Sequence, residues 1–122
     1  MIKKILIAAS IGLLFSAAQA NEVLTKYPNG NVEAGQKLFV SKNTGGAFES
    51  CLSCHSDNLK GNGKHAKTGR EIKPLAPIAN PDRFTDLAKV EKWFKRNCND
   101  VISRECSAKE KADVIAYLRS IK

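Results

Sequence analysis

The stretch Cys51-Leu52-Ser53-Cys54-His55 decides the fold of this 122-residue chain. Two cysteines separated by two residues and followed directly by a histidine have the spacing of covalent c-type haem attachment. The two thiols can add to the two vinyl groups of one porphyrin, and the adjoining imidazole can then ligate the iron. The pentapeptide therefore predicts one covalent haem c, held by Cys51 and Cys54, with His55 as the proximal iron ligand.

Two other interpretations of the Cys-x-x-Cys pair fit less well. A thioredoxin-like redox pair belongs in a βαβ context and does not need His55. A zinc site needs a second Cys/His pair at ligand spacing, but the other cysteines, Cys98 and Cys106, are eight residues apart, and the other histidine, His65, lies in a glycine-rich loop. Haem attachment remains the prediction.

The N-terminal residues have the pattern of a secretory signal peptide. A short basic start with Lys3 and Lys4 precedes an uncharged apolar run over residues 5–15, and Ala18-Gln19-Ala20 is a small-x-small cleavage site. A membrane anchor would need about 20 apolar residues, so the run is too short to span. We expect residues 1–20 to be removed and residues 21–122 to form one monohaem cytochrome c domain in the periplasm. Without the two lysines the formal charge falls from +8 to +6.

The remaining cysteines have a role that follows from export. An oxidising compartment tolerates disulfides, so we expect Cys98 and Cys106, which are left over after haem attachment, to pair. A domain of about 100 residues buries only a modest fraction of its surface. A central haem would therefore supply much of the core.

Apolar spacing predicts three helices and no strands. The first runs from about Val32 to Ser41 after an Asn31 cap, the second from Thr85 or Asp86 to about Asn97, and the third from a Ser107–Glu110 capping box to Ile121. Residues 56–70 are polar and predict a solvated loop. Three prolines within residues 74–81 predict an irregular apolar segment against the haem. The expected fold is all-α.

The only methionine is Met1, which leaves with the signal peptide, so no methionine remains to ligate the haem iron opposite His55. Three options remain: an empty distal position, His65, or a harder oxygen or nitrogen donor. His65 lies among lysines and glycines without apolar neighbours, and such segments are usually surface. Asn97 lies about 20° from Val90 and 40° from Trp93 on a helical wheel. Asn97 is therefore the better candidate ligand on geometry, whereas Asn99 points away.

The wider sequence resembles two nested families. Gly35-x-x-x-Phe39 before the haem motif, with Tyr117-Leu118 in a closing helix, looks like a class I cytochrome c, in which the first and last helices cross at a small residue. Five further segments resemble the sphaeroides haem protein family of oxygen-binding monohaem cytochromes c. They are Pro74-Leu75-Ala76-Pro77, residues 81–86, Val90-Glu91-Lys92-Trp93, Arg96-Asn97-Cys98-Asn99 and Glu110-Lys111-Ala112-Asp113.

This resemblance implies a class I-like helical domain around one haem, with Asn97 as distal iron ligand and a disulfide between Cys98 and Cys106. It also implies electron supply from a dihaem cytochrome c and, upstream, a membrane cytochrome b. An amide oxygen is a hard, weak donor that suits Fe(III) better than Fe(II). Reduction should therefore loosen Asn97 and open the iron to O₂, NO or CO.

The function expected from the sequence is a periplasmic cytochrome c that accepts electrons and binds small diatomic ligands after redox-linked release of Asn97. The alternatives are a plain electron shuttle with a permanently occupied distal site, and a haem-based sensor or storage module. Terminal oxidoreductase activity on O₂, NO or peroxide stays open, because no acid, base or substrate pocket is identifiable and no catalytic residue is assigned.

Five basic residues after the haem motif could steer an acidic electron donor: Lys60, Lys64, Lys67, Arg70 and Lys73. Runs of this kind are also common on ordinary solvated surface. Nucleic acid is not expected as a partner, because the chain is exported and carries no recognition motif.

Overall fold

The computed structural model describes residues 22–42, 45–56 and 58–122. Four helices, one 3₁₀ turn and a two-stranded hairpin follow each other along these residues. In chain order they are α1 (Glu22–Lys26), α2 (Val32–Val40), the 3₁₀ turn Cys51–Ser53, β1 (Gly63–Lys64), β2 (Glu71–Ile72), α3 (Leu87–Ile102) and α4 (Ala108–Ser120). The expected signal peptide, residues 1–20, lies outside the described residues.

Helices α2 and α4 form the main packing contact of the fold, and both begin at the caps expected from the sequence. The Asn31 side chain accepts a hydrogen bond from the backbone nitrogen of Ala34 at 2.8 Å. Ser107 and Glu110 form the reciprocal capping box at the start of α4. The Asp113 carboxylate, on α4, accepts a hydrogen bond from the Asn31 backbone nitrogen at 2.7 Å. The two helices are thereby fixed in register at one end.

Gly35 lies where the first and last helices cross. A Cβ atom on Gly35 would be 1.9 Å from the carbonyl oxygen of Asp113 and 2.9 Å from the Cβ atom of Tyr117. No side chain fits in that space. The crossing at a small residue, expected from the likeness to class I cytochromes c, is confirmed.

Helix α3 is longer than the sequence predicted. It begins after an Asp86 cap, as expected, but it continues past Asn97 to Ile102, where Ser103 adopts a left-handed conformation with φ 55°. The extra turn forms because Cys98 and Val101 extend the buried side of the helix, with exposures of 7% and 8%. Asn97 therefore lies within the helix and not at its end.

Two further elements were not predicted. The short helix α1 buries Val23 completely and packs near α3 and α4. The segment expected to be a solvated loop contains strand β1, which pairs antiparallel with β2, Gly63 opposite Ile72 and Lys64 opposite Glu71. Each strand has two residues, too few for a period-2 pattern to be recognised. The fold is nevertheless helical, as predicted.

The buried apolar side chains form two clusters on either side of Phe84 and Phe94, which contact both. One contains Val23, Tyr27, Val90, Ala112 and Ile115. The other contains Phe39, Leu59, Ala76, Val114 and Leu118, and Cys51 and Leu52 pack against it. The second cluster therefore joins the first and last helices to the haem motif. In the described part of the chain, no helix is long and apolar enough to cross a membrane.

Candidate haem site

The haem motif forms a single tight turn. Cys51–Ser53 is a 3₁₀ helix, and the Cys54 backbone nitrogen donates a hydrogen bond to the Cys51 carbonyl oxygen at 3.4 Å. The Ser53 hydroxyl accepts a hydrogen bond from the Ser50 backbone nitrogen at 3.1 Å. Cys51 and Cys54 are both half-buried free thiols. The turn thus offers two unpaired thiols from one short, capped segment.

The surroundings of Cys51 do not suit thiol redox chemistry. Burial raises the pKa of Cys51 to about 11, and the neighbouring Cys54 adds to the effect. Redox-active Cys-x-x-Cys pairs have a lowered pKa, since the thiolate is the reactive form. Among the described residues, no group of three His, Cys, Asp or Glu side chains could hold a metal ion. Neither the thioredoxin-like nor the zinc interpretation gains support.

His55 is held as a neutral imidazole. Burial lowers its pKa to about 4, and the nearby positive charge of Arg83 adds to the effect. Its ring packs against Phe39, with the ring centroids 6.0 Å apart. Neutral imidazole is the form of histidine that ligates metal ions. The imidazole is therefore in the protonation state that an axial iron ligand requires.

The β1–β2 hairpin is anchored on Cys54. The Lys64 backbone nitrogen donates to the Cys54 carbonyl oxygen at 2.7 Å, and the Ala66 backbone nitrogen lies 3.4 Å from the Cys54 sulfur. A Cβ atom on Gly63 would be 2.2 Å from the same carbonyl oxygen. The hairpin therefore lies directly against one of the two thiols.

Asn97 and Asn99 differ in what their side chains contact. Asn99 Nδ2 donates to the Lys95 carbonyl oxygen on its own helix at 2.6 Å. Asn97 is exposed, and its side chain makes no hydrogen bond to any described residue. It shares a helical stripe with Trp93, one turn earlier, which is 37% exposed. Of the two amides, only that of Asn97 is available to a ligand.

The end of α3 is tied to the segment that leads into the haem motif. The Gly46 and Phe48 backbone nitrogens donate to the carbonyl oxygens of Val101 and Asp100 at 3.0 and 3.1 Å. The Ser103 hydroxyl donates to the Gly45 carbonyl oxygen at 2.6 Å. Phe48 is three residues before Cys51, and Asp100 is three residues after Asn97. These hydrogen bonds bring the helix that carries Asn97 next to the turn that carries His55.

His65 lies at the tip of the hairpin. Its Nδ1 atom accepts hydrogen bonds from the backbone nitrogens of Lys67 and Thr68, at 3.3 and 3.2 Å. The expectation that it lacks apolar neighbours was wrong, because the Phe48 ring packs edge-on against it with centroids 5.4 Å apart. Sequence spacing could not show a contact between residues 17 positions apart. Both contacts fix His65 within the hairpin.

Cys98 and Cys106 are bonded to each other in the structure, with 5.8 Å between their Cα atoms. The bond joins the last turn of α3 to the loop before α4. Cys98 is buried, and it directly follows Asn97 in the helix.

Arg83 is a residue of the site that the sequence analysis did not single out. Its guanidinium lies 4.5 Å from the Trp93 ring centroid. It donates to the carbonyl oxygens of Lys73 and Pro74, both at 2.9 Å. Its charge contributes to the lowered pKa of His55. An arginine in an irregular proline-rich segment has no periodic pattern that would have indicated this position.

The donor set fits a covalently bound haem. Two free thiols, one neutral half-buried imidazole and an unbonded amide supply two attachment points and two candidate iron ligands. Trp93 and Ile78 leave large apolar side chains 37% and 60% exposed. Trp93 contacts the Arg83 guanidinium, and Ile78 lies five residues before Arg83 in the chain. A flat apolar group held at the motif would have apolar side chains to cover.

The chain matches known proteins over most of its length. A family model described as a domain of unknown function (DUF1924) matches residues 26–118. Cytochrome c-type protein SHP of Cereibacter sphaeroides is 52% identical over 90 residues, covering 72% of this chain and 69% of that protein. Cytochrome c'' of Methylophilus methylotrophus is 40% identical over 131 residues, covering 92% of this chain and 91% of that protein.

Two solved structures have the same fold. Oxidised SHP, described as an oxygen-binding cytochrome c, superposes with a TM-score of 0.72 at 46% identity, covering 84% of this chain and 93% of that chain. Oxidised cytochrome c'' superposes with a TM-score of 0.71 at 37% identity, covering 86% and 96%. The chain therefore belongs to the sphaeroides haem protein family, folds as a class I-like cytochrome c, and has haem c as its cofactor.

Proposed function

We propose that this protein is a periplasmic cytochrome c that accepts one electron and then binds a small diatomic ligand, O₂, NO or CO, in the position that Asn97 leaves. Cys51 and Cys54 would hold the haem covalently, and the neutral imidazole of His55 would ligate its iron. The haem supplies an iron that changes between Fe(III) and Fe(II). The observation that carries the proposal is the free side chain of Asn97, one turn from Trp93 and on a helix tied to the haem-binding turn.

The chemistry of the amide explains why Asn97 would respond to reduction. An amide oxygen is neutral and hard, so it binds Fe(III) better than the softer Fe(II). The Asn97 amide would therefore bind the iron of an attached haem more strongly in the oxidised protein than in the reduced protein. Reduction by one electron would then open the position at the iron to a gas molecule.

The relatives support the two halves of this proposal. The solved SHP structure is that of an oxygen-binding cytochrome c. A solution structure of cytochrome c'', with a TM-score of 0.59 at 38% identity, addresses the structural basis of haem-ligand detachment in that protein. This chain is similar to both relatives, with 52% identity to SHP and 40% identity to cytochrome c'' over the matched residues.

A plain electron shuttle would need a strong and permanent distal ligand, and His65 is the remaining histidine. Its Nδ1 atom is already used by two backbone nitrogens, and its ring packs on Phe48. Moving His65 to another position would break these contacts. The structure therefore favours Asn97 over His65 as the sixth ligand.

The bond between Cys98 and Cys106 would limit how far Asn97 moves. In the chain-entropy model a short closed loop of this size contributes roughly 2 to 3 kcal/mol to stability. Because Cys98 directly follows Asn97, the disulfide holds the backbone of α3 in place at that point. Release of Asn97 would then be a side-chain rotation and not local unfolding.

The hairpin supplies a docking surface for an acidic electron donor, such as a dihaem cytochrome c. We call this surface the basic hairpin; its side chains are Lys60, Lys64, Lys67, Arg70 and Lys73, and all five are exposed. None of the five forms an ion pair with a described acidic side chain, and Lys60 Nζ donates to the Lys122 oxygen at 3.0 Å. Glu71 is the only acidic residue described between positions 58 and 73. The hairpin lies against Cys54, so its positive charge would lie beside the attached haem.

Ligand binding to the purified holoprotein tests the proposal. Reduction without air followed by CO should shift the Soret band, and an unchanged band would favour the shuttle. Asn97→Ala should raise the affinity of the ferric protein for azide by about tenfold or more, because the sixth position is then vacant. Asn99→Ala is the matched control, since this amide bonds its own helix. Equal azide affinity in wild type and Asn97→Ala would contradict the assignment.

A further inference from the structure

Arg83 is anchored in the structure on three sides. Its Nε and Nη2 atoms donate to the carbonyl oxygens of Pro74 and Lys73, both at 2.9 Å. The Trp93 ring covers one face of its guanidinium, with 4.5 Å from the guanidinium carbon to the ring centroid. These contacts fix the position of a long side chain that would otherwise be mobile, and they leave Nη1 without an acceptor among the described residues.

Among the described residues, no carboxylate forms an ion pair with Arg83. The ion pairs in the described part of the chain join Lys26 and Lys111 to Glu91, Arg104 to Glu110, and Lys109 to Asp113. Arg83 is half-buried, and burial lowers its pKa. A partly desolvated guanidinium is costly unless an anion pairs with it. The Arg83 guanidinium is held in place and has no carboxylate partner among the described residues. These two features together indicate an anionic ligand.

The surroundings of Arg83 are those of the haem motif. The next residue, Phe84, packs against the same apolar cluster as Cys51 and Leu52, and so does Leu75, which follows the acceptor Pro74. The Arg83 charge also acts on His55. A haem attached at Cys51 and Cys54 brings two carboxylates of its own, the propionates. A guanidinium N–H group without an acceptor can donate a charge-assisted hydrogen bond to a carboxylate.

We propose that Arg83 is a carboxylate-binding site within the haem pocket, and that its Nη1 atom donates a hydrogen bond to a haem propionate. The two backbone carbonyls and Trp93 orient the guanidinium for this contact. Arg83 thereby holds a positive charge close to the iron, which favours the reduced protein. It is a cofactor-binding residue that also raises the midpoint potential of the haem.

This inference rests on haem attachment at Cys51–His55 and does not depend on Asn97. Failure of this inference can therefore be distinguished from failure of the proposed redox-linked release of Asn97. The pyridine haemochrome spectrum measures the haem content of every variant and so checks haem attachment. The CO-induced Soret shift checks separately whether the reduced protein binds a diatomic ligand. The readouts for Arg83 are the midpoint potential and the propionate bending band in the resonance Raman spectrum.

The test compares Arg83→Gln with Lys89→Gln in the holoprotein. Lys89 is exposed, lies on α3 four residues before Trp93, and forms no ion pair with a described residue, so its replacement removes the same charge without this contact. We expect Arg83→Gln to lower the midpoint potential clearly more than Lys89→Gln and to shift the propionate band, which Lys89→Gln leaves unchanged. Equal midpoint potentials in Arg83→Gln and Lys89→Gln, together with an unchanged propionate band in Arg83→Gln, would overturn the proposal.

Arg83→Lys and the unmodified protein cover the case in which Arg83→Gln does not mature. Lysine keeps the charge but cannot bond both carbonyls and a propionate, so the potential should stay near that of wild type while the propionate band shifts. The wild-type ferrous CO form should show a nuclear Overhauser effect between the Arg83 Nη1 protons and a propionate methylene. Absence of this effect would also overturn the proposal.

Discussion

The Cα atom of Gly35 faces the backbone of Asp113 so closely that a methyl group on it would lie 1.9 Å from the Asp113 carbonyl oxygen. This contact brings α2 and α4 together beside the cluster against which Cys51 packs. Gly35 therefore connects the crossing of the first and last helices to the packing around the haem motif.

Gly35→Ala should destabilise the holoprotein by about 2 kcal/mol or more. Alanine favours a helix by up to about 1 kcal/mol over glycine, but overpacking against a rigid backbone costs roughly 1 to 3 kcal/mol and sometimes more. Urea denaturation followed at the Soret band measures the difference. Gly61→Ala is the control, because the nearest side-chain atom would be 3.5 Å away. Similar effects of the two substitutions would contradict this account of the crossing.

The parts of the structure that sequence predicted are those with a local physical signal. The Asn31 and Asp86 caps and the Ser107–Glu110 capping box are formed within three residues, so they can be read directly from the chain. The haem motif is equally local. By contrast, the end of α3 was misplaced by five residues, because the burial of Cys98 and Val101 depends on packing with distant segments.

The contacts that sequence did not predict join residues far apart in the chain. Arg83 reaches Trp93 and the carbonyl oxygens of residues 73 and 74, and Phe48 reaches His65. Neither pair has a spacing that a helix or strand would repeat. The Asn97 assignment came from helical geometry and family resemblance; the structure adds that its amide is free whereas that of Asn99 is bonded.

The start of α4 should lose stability in acid through Glu110. The bidentate hydrogen bond from Arg104, at 2.7 and 2.9 Å, lowers the pKa of Glu110 to about 2 from an ordinary 4.5, and the Ser107 backbone nitrogen assists. The folded state thus binds fewer protons than the unfolded state in this range. The stabilisation is complete above pH 4.5 and is lost as the pH falls towards 2.

Glu110→Gln should therefore cost about 0.5 to 1 kcal/mol at pH 7, the scale of an exposed ion pair and of an acidic residue at a helix N-terminus, and almost nothing near pH 2. Glutamine can keep the capping-box hydrogen bond to the Ser107 nitrogen, so the loss reports the carboxylate charge. Urea titrations of both proteins at pH 7 and at successively lower pH measure the change. Glu105→Gln is the control, because the Glu105 side chain makes no contact with a described residue. A cost for Glu110→Gln that does not depend on pH would show that the carboxylate charge is unimportant.

Helix α1 should depend on one hydroxyl group. Tyr27 donates to Glu91, and Lys111 donates to the Tyr27 oxygen at 3.4 Å and to Glu91 at 3.2 Å. Tyr27→Phe removes a hydrogen bond to a charged group and should cost about 1 to 2 kcal/mol. Tyr117→Phe should change stability by less than about 0.5 kcal/mol, because the Tyr117 hydroxyl makes no hydrogen bond to a described residue. Thermal denaturation of both variants measures the contrast, and equal losses would exclude this role for Tyr27.

The basic hairpin should control how charged reductants reach the haem. In a variant with Lys64→Glu and Lys67→Glu, the rate of reduction by the anion Fe(II)-EDTA should fall several-fold at low ionic strength, because two attractive charges become repulsive. The rate with the cation hexaammineruthenium(II) should rise. Both effects should fade at about 0.5 M salt, where the Debye length is only a few ångströms.

The matched control reverses two lysines away from the hairpin, Lys89→Glu and Lys92→Glu on α3. It produces the same net charge, so a difference between the two variants reports where the charge lies and not its total. Stopped-flow reduction at two salt concentrations separates them. If both variants slow Fe(II)-EDTA equally, electrons do not enter beside the hairpin, and the docking surface must lie elsewhere on the haem edge.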